Sequence, residues 1–233
     1  MIGIFDSGVG GLASLQELRN HSKTADIVYL ADRKNAPYGT KTKDELISLV
    51  SADIEILEHH GCEQILIACC TASTVYSALS PKARCLAIPI IEPAAYAAAS
   101  ISTRGNLAVI ATDRTVDSGE FTRQIQKHLK ISSVVEIKAQ PLVSMVEAGA
   151  RDGSLSGEQR QILMSILKPI IGQNIDTLVL GCTHFSHIER EIRAILGSRV
   201  RLVLPSREGV AELIRVHGSR ALRGRGTTTY INT

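Results

Sequence analysis

Residues 65–73 read ILIACCTAS and residues 178–186 read LVLGCTHFS. Each is a run of branched apolar residues, strand-like in length, that ends in cysteine followed by threonine. Upstream of each lies a second matched stretch, IGIFDSG at 2–8 and LAVIATDRTVDSG at 107–119. Further apolar runs at 27–31 (IVYLA), 134–138 (VVEIK) and 200–204 (VRLVL) are separated by amphipathic or alanine-rich segments. Strand patterns alternating with helix patterns predict an α/β chain with mostly parallel sheets. The repeated pairing of motifs predicts two similar halves.

The helix pattern is clearest over Thr42–His60. Thr42 and Glu45 have capping-box spacing, Leu46, Leu49, Val50, Ile54 and Leu57 share one face, and Gly61 supplies the stop. Residues 93–100 are alanine-rich. Because alanine is the best helix former, they predict a small packed helix at a domain junction rather than a linker.

A chain of 233 residues has room for one large domain or two small ones, each with its own apolar core. Hydrophobic residues at 44% and charged residues at 21% exclude a disordered chain. No apolar run reaches the ~18 residues of a membrane span, and Met1 to Phe5 is too short for a signal segment, so the expected location is the cytoplasm. The five cysteines, an odd number, are expected there as reduced thiols. A net charge of +3 is too small to argue for nucleic acid, and Arg215, Arg220, Arg223 and Arg225 read as a solvated helix end.

In parallel α/β sheets the residues just past the carboxyl ends of strands line the ligand crevice. Cys69, Cys70 and Cys182 are expected at such ends, as are Asp6, Ser7 and Thr112. Helices expected to begin near Thr71 and Thr183 offer free N–H groups to an anion and lower a neighbouring thiol's pKa. Each half thus supplies part of a carboxylate site beside a thiol. That suits racemisation, in which a proton leaves one face of a planar, carbanion-like carbon and another arrives on the opposite face. A thiol with an ordinary pKa of about 8.5 serves as thiolate base in one direction and thiol acid in the other. His184 and Asp6 are placed to assist, and the scheme requires neither metal nor organic cofactor. Cys62 and Cys85 read as small structural hydrophobes. A zinc site from Cys69, Cys70, Cys182 and His184 lacks the usual Cys-x-x-Cys spacing. The residues alone leave the first base open between Cys69 and Cys70, since Cys70-Thr71 matches Cys182-Thr183 more literally.

A rival reading is dinucleotide (NAD) binding. Gly8, Gly10 and Ala13 satisfy G-x-G-x-x-A after a strand, and Asp32 ends the next one. Against it, Asp6 and Ser7 put an acidic group where a pyrophosphate would sit.

Together DSGVGGL (6–12), PYGTK (37–41), ACCTAS (68–73) and LGCTHF (180–185) resemble the glutamate racemase family. Weaker similarity in EPAA (92–95), Thr112 with Thr115, and LVSMVEAG (142–149) extends the resemblance over nearly the whole chain. It implies two similar parallel-sheet α/β domains related by pseudo-two-fold symmetry, residues 1–93 plus 206–233 and residues 94–205, with the active site in the cleft between them. It implies Cys69 and Cys182 as the acid/base pair, with Asp6 and His184 assisting. Substrate contacts would come from Asp6, Ser7, Tyr38, Gly39, Cys70, Thr71, Thr183 and His184, with Glu147 near the cleft. Related aspartate racemases usually carry Glu at the position of His184, so the implied substrate is glutamate and the implied product D-glutamate for peptidoglycan, with no cofactor or metal and a homodimer as the assembly. Three departures stand out: Cys70 replaces the family's Asn, Pro205 replaces a usually acidic residue, and the chain stops after GTTTYINT without a final helix. The first leaves a second outcome open, a degenerate racemase-fold protein that binds an amino acid with altered substrate or little turnover. A thiol is a weak donor, and a lost hydrogen bond to a charged group costs about 1.5–3 kcal/mol.

Overall fold

The computed structural model describes residues 1–130, 134–218 and 222–233; Arg220, one of the basic residues noted above, lies outside the described residues. The apolar runs become strands: β1 (Ile2–Asp6), β2 (Ile27–Ala31), β3 (Gln64–Ile67), β4 (Ala87–Pro89), β5 (Leu107–Ala111), β6 (Val135–Lys138), β7 (Thr177–Gly181), β8 (Arg201–Val203) and β9 (Thr228–Asn232). β1, β2, β5 and β7 are buried along their whole length. Strands covered on both faces need no polar alternation, which is why these segments read as unbroken apolar runs.

Every strand pairing is parallel. The first sheet has the order β4-β3-β1-β2-β9 and the second β6-β5-β7-β8. Matching β1 to β5, β2 to β6, β3 to β7 and β4 to β8 makes the two orders coincide, so the repeat seen in sequence is a repeat of topology. β9 pairs with the free edge of β2, from Ile27 opposite Thr228 to Ala31 opposite Asn232, and among the described residues has no counterpart in the second sheet.

The helices cover both sheets. The Lys43–His59 helix starts with the expected box: Glu45 N–H donates to Thr42 Oγ1 at 3.3 Å and Thr42 N–H donates to Glu45 Oε2 at 2.7 Å. Gly61, at φ 78°, ends the segment in the left-handed region that glycine alone enters cheaply. The helix buries Leu46, Val50, Ile54 and Leu57 against Phe5, Val28, Leu30, Ile65 and Ile67 on one face of the first sheet. Leu142, Leu163 and Phe185 cover the outer face of the second sheet over Ile110 and Leu180.

Between the sheets lies a shared layer. Ala94, Ala95 and Ala98 of the Ile91–Ile101 helix join Ile2, Ile4 and Tyr29 from the first sheet and Leu107, Val109 and Val179 from the second in one apolar cluster. The alanine-rich segment is therefore a helix, and its small side chains let both sheets approach it closely. The two lobes each have a private core and share a third. Among the described residues, no helix is long and apolar enough to cross a membrane.

Candidate active site

The centre of each sheet sets the site. β1 lies beside β3 and β5 beside β7, and the chain leaves these pairs in opposite directions, the switch-point geometry that opens a crevice at the carboxyl ends of strands. Cys69 follows β3 and caps the short Cys70–Ser73 helix; Cys182 follows β7 and caps the 3-10 turn Thr183–Ile188. Both cysteines line one cleft of about 690 Å³, together with Ser7, Tyr38, Gly39, Cys70, Thr71, Thr183 and His184. Asp6, at the end of β1, is fully buried behind this wall, where its carboxylate accepts Gly8 N–H at 3.0 Å and Thr183 Oγ1–H at 3.3 Å.

Around Cys182 the side chains form a relay. His184 Nδ1 lies 3.5 Å from Cys182 Sγ, and His184 Nε2 lies 2.5 Å from Glu147 Oε1. Donation from both nitrogens is the hydrogen bonding of an imidazolium. Burial works against that charge, but Cys182, Glu147 and Asp6 outweigh it and push the His184 pKa up to about 11. Glu147 is held below the usual carboxylate range, first by its bond to His184.

Cys69 has the opposite surroundings. Its sulfur receives the Ala72 N–H and lies 3.8 Å from Ser7 Oγ, contacts that favour a thiolate, but burial and then the Asp6 carboxylate dominate and raise its pKa. Cys70 is raised for the same first reason, burial, and then by the neighbouring sulfurs. Its side chain belongs to the apolar cluster shared by the lobes as well as to the cleft wall.

The lobes meet at two tight contacts beneath the cleft. Thr71, Thr112 and Thr115 form a buried triangle of hydroxyls, with Oγ1 separations of 2.9, 2.8 and 3.2 Å. In the 8–11 loop, a Cβ at Gly10 would meet Thr183 Oγ1 and would lie 2.9 Å from the His184 backbone nitrogen, while one at Gly11 would lie 2.5 Å from Asp6 Cβ. Gly10 lets the loop close on Thr183 and His184 of the opposite lobe, and Gly11 lets it close on Asp6 of its own, so the glycines serve packing contacts here. Asp32, the residue that a ribose would need, is buried and already engaged by Asn35, Tyr38 and Thr233. Among the described residues, no group of three or more His, Cys, Asp or Glu side chains could hold a metal ion.

Sequence reasoning missed Arg33. Among the described residues it is the only lysine or arginine on the cleft wall, placed there because it follows Asp32 just beyond β2. Its position two residues past a strand end was the available signal. Thr112 and Gln140 also line the cleft, opposite Gly39, whose missing side chain leaves room for the Gln140 amide oxygen.

A sequence profile of the Asp/Glu/Hydantoin racemase family matches residues 14–213. The glutamate racemase of Gloeobacter violaceus is 36% identical over 214 residues, covering 91% of this chain and 79% of that protein. Among solved structures, glutamate racemase isoform RacE1 from Bacillus anthracis superposes with a TM-score of 0.87 at 28% identity, covering 100% of this chain and 87% of that one. The glutamate racemase of Francisella tularensis in complex with D-glutamate gives a TM-score of 0.87 at 27% identity, covering 99% and 86%.

Proposed function

The chain belongs to the Asp/Glu/Hydantoin racemase family, and on that premise we propose that it interconverts L- and D-glutamate with Cys182 and Cys69 as opposed acid and base. The observation that carries this reading is the contrast between the two thiols lining one cleft. Cys182 faces the His184 imidazolium, whereas Cys69 is kept protonated by burial and by Asp6. Cys69 holds the proton to be given, and the proposal makes Cys182, 3.5 Å from the charged ring, the sulfur that takes one.

In this scheme the Cys182 thiolate removes the α-proton of one enantiomer as the Cys69 thiol delivers a proton to the opposite face. The product leaves Cys69 as thiolate and Cys182 as thiol, the arrangement that the other enantiomer requires. His184 acts on Cys182 through their 3.5 Å contact, while burial and then Asp6 keep Cys69 protonated. Substrate contacts are assigned to Ser7, Tyr38, Gly39, Cys70, Thr71 and Thr183, with Arg33 pairing a carboxylate. Two carboxylates distinguish glutamate from most amino acids, and a guanidinium is the natural partner for one of them. Charge neutralisation at the substrate also favours the developing carbanion.

The test is incubation of the purified protein with L-glutamate and chiral separation of the products. The expected result is approach to an equal mixture of enantiomers. No D-isomer from L-glutamate, with racemisation of another amino acid, would reassign the substrate; no racemisation of any amino acid would overturn the proposal. Growth of a D-glutamate auxotroph upon expression of the chain tests the supply of D-glutamate to peptidoglycan.

A further inference from the structure

Three buried oxygens form a row behind the cleft. Tyr38 Oη lies 2.6 Å from Asp32 Oδ2 and 2.7 Å from Asp53 Oδ2. Tyr38, Asp32 and Asp53 are respectively 1%, 1% and 3% exposed. A phenol carries one proton, so it donates to only one of these carboxyls. The other contact, at hydrogen-bond distance, requires a proton on the second acid; without one, two lone pairs would face each other.

The neighbours decide which acid carries it. Asp32 also accepts the Asn35 amide at 3.0 Å on both of its oxygens, and the Thr233 hydroxyl, donors that suit a carboxylate. Asp53 lies on the buried side of the Lys43–His59 helix, among Val50, Ile54 and Leu57, with Tyr38 as its hydrogen-bond partner. An acid in those surroundings is cheaper neutral than charged.

We propose that Asp53 is a positioning residue: a neutral acid that donates to Tyr38, which donates to Asp32, so that this chain of hydrogen bonds fixes the Tyr38–Gly39 turn against the second lobe. The turn matters because Gly39 approaches Thr112 and Gln140 across the cleft, and a Cβ there would lie 2.5 Å from Gln140 Oε1 and 3.2 Å from Thr112 Cβ. A small displacement of Tyr38 therefore alters the closed cleft.

Ionisation of Asp53 removes its donated proton and sets two carboxylates around one phenol. The groups facing it reinforce the neutral form. Burial, the largest influence, pushes its pKa up to about 7; the Tyr38 hydroxyl works the other way, and Asp32 beyond β2 and Asp6 at the end of β1 add to the rise. Of the other elements packed on this helix, β2 carries no charged residue and the Cys70–Ser73 helix carries only the Cys70 thiol. On the Pro81–Leu86 helix, Lys82 pairs with Glu58 and the Arg84 guanidinium donates to Ser77 O, so no cation is assigned to Asp53.

The kinetic consequence rests on the proposed glutamate racemisation. In wild type, KM for glutamate rises about tenfold between about pH 6 and about pH 8, as the neutral fraction of an acid titrating near 7 falls across that span. Asp53→Asn offers a permanent N–H donor to Tyr38, so its KM stays at the acid wild-type value, and its KM-to-kcat split separates positioning from chemistry. A second readout needs no substrate: in protein carrying 13C-labelled aspartate carboxyls, one resonance titrates near neutrality and is absent from Asp53→Asn. Failure to racemise glutamate leaves that titration to judge the proposal alone. An Asp53 resonance that titrates near 4, or a KM of Asp53→Asn that follows wild type across the same span, overturns it. If Asp53→Asn does not fold, Tyr38→Phe in the labelled protein shifts the titration of the same resonance; an unmoved midpoint overturns the proposal.

Discussion

Cys182 Sγ lies 3.5 Å from His184 Nδ1 while Glu147 Oε1 holds the opposite nitrogen of the same ring at 2.5 Å. The imidazolium is thus fixed at both ends, by a sulfur on the cleft wall and by a carboxylate that reaches out to solvent. This relationship dictates how activity responds to pH.

The His184 pKa, raised to about 11, keeps the ring charged throughout the neutral range. Its stabilising contribution is full below the ordinary histidine value of about 6.5 and is lost as pH rises toward about 11. Glu147→Gln removes one support. The Glu147 side chain is 46% exposed, so its contribution is discounted to about 1 kcal/mol. The expected result is an alkaline limb of the pH–rate profile displaced downward by somewhat less than about one pH unit. Superimposable alkaline limbs would show that Glu147 does not act through His184.

Arg33→Ala tests the carboxylate assignment. Loss of a charged hydrogen bond from an exposed arginine is worth about 1–2 kcal/mol, so KM for glutamate should rise about 5- to 30-fold with kcat changed less. A KM equal to wild type would remove Arg33 from the site.

Gly10→Ala places a methyl group against Thr183 Oγ1 and 2.9 Å from the His184 backbone nitrogen. The hydroxyl can rotate but the backbone cannot move without carrying His184 with it. Overpacking of this kind costs about 1–3 kcal/mol. Both the melting temperature and kcat should fall; wild-type values for both would mean that the lobes do not close as described.

How far the sequence revealed this molecule follows from which physical signals are local. The central strands were legible because burial on both faces makes them uniformly apolar, and the Lys43–His59 helix because its cap, its stripe and its stop are all short-range features. β4 escaped notice because three residues carry no periodicity, and β9 because Thr228–Asn232 earns its place by pairing with β2, some two hundred positions earlier in the chain. At the site, Asp6, Cys69 and Cys182 were placed at strand ends from position alone, but Arg33, just beyond β2, was passed over, and so was Asp53. It sits where the stripe of the Lys43–His59 helix calls for an apolar residue, and only Tyr38, brought in from another segment, explains a carboxyl there. The proton states of Cys69 and His184 likewise depend on Asp6 and Glu147, which are distant in sequence.

Cys70→Ser separates the neighbouring thiols. Cys70 packs into the apolar cluster shared by the lobes, so burying a hydroxyl there lowers stability by about 1–3 kcal/mol. Racemisation, measured below the melting transition, should nonetheless persist within about tenfold of wild type, because general acid–base catalysis is worth about 10²–10⁴ and rests on Cys69. Loss of activity in Cys70→Ser alone would move the first base to Cys70.

The most direct measurement of the two-thiol account is α-deuterium incorporation from D₂O into L-glutamate and into D-glutamate, compared among wild type, Cys69→Ser and Cys182→Ser. Wild type should label the inverted product from either enantiomer, and each serine variant should lose racemisation by about 10²-fold or more. Wild-type racemisation in either variant would contradict the assignment of that thiol and with it the opposed pair.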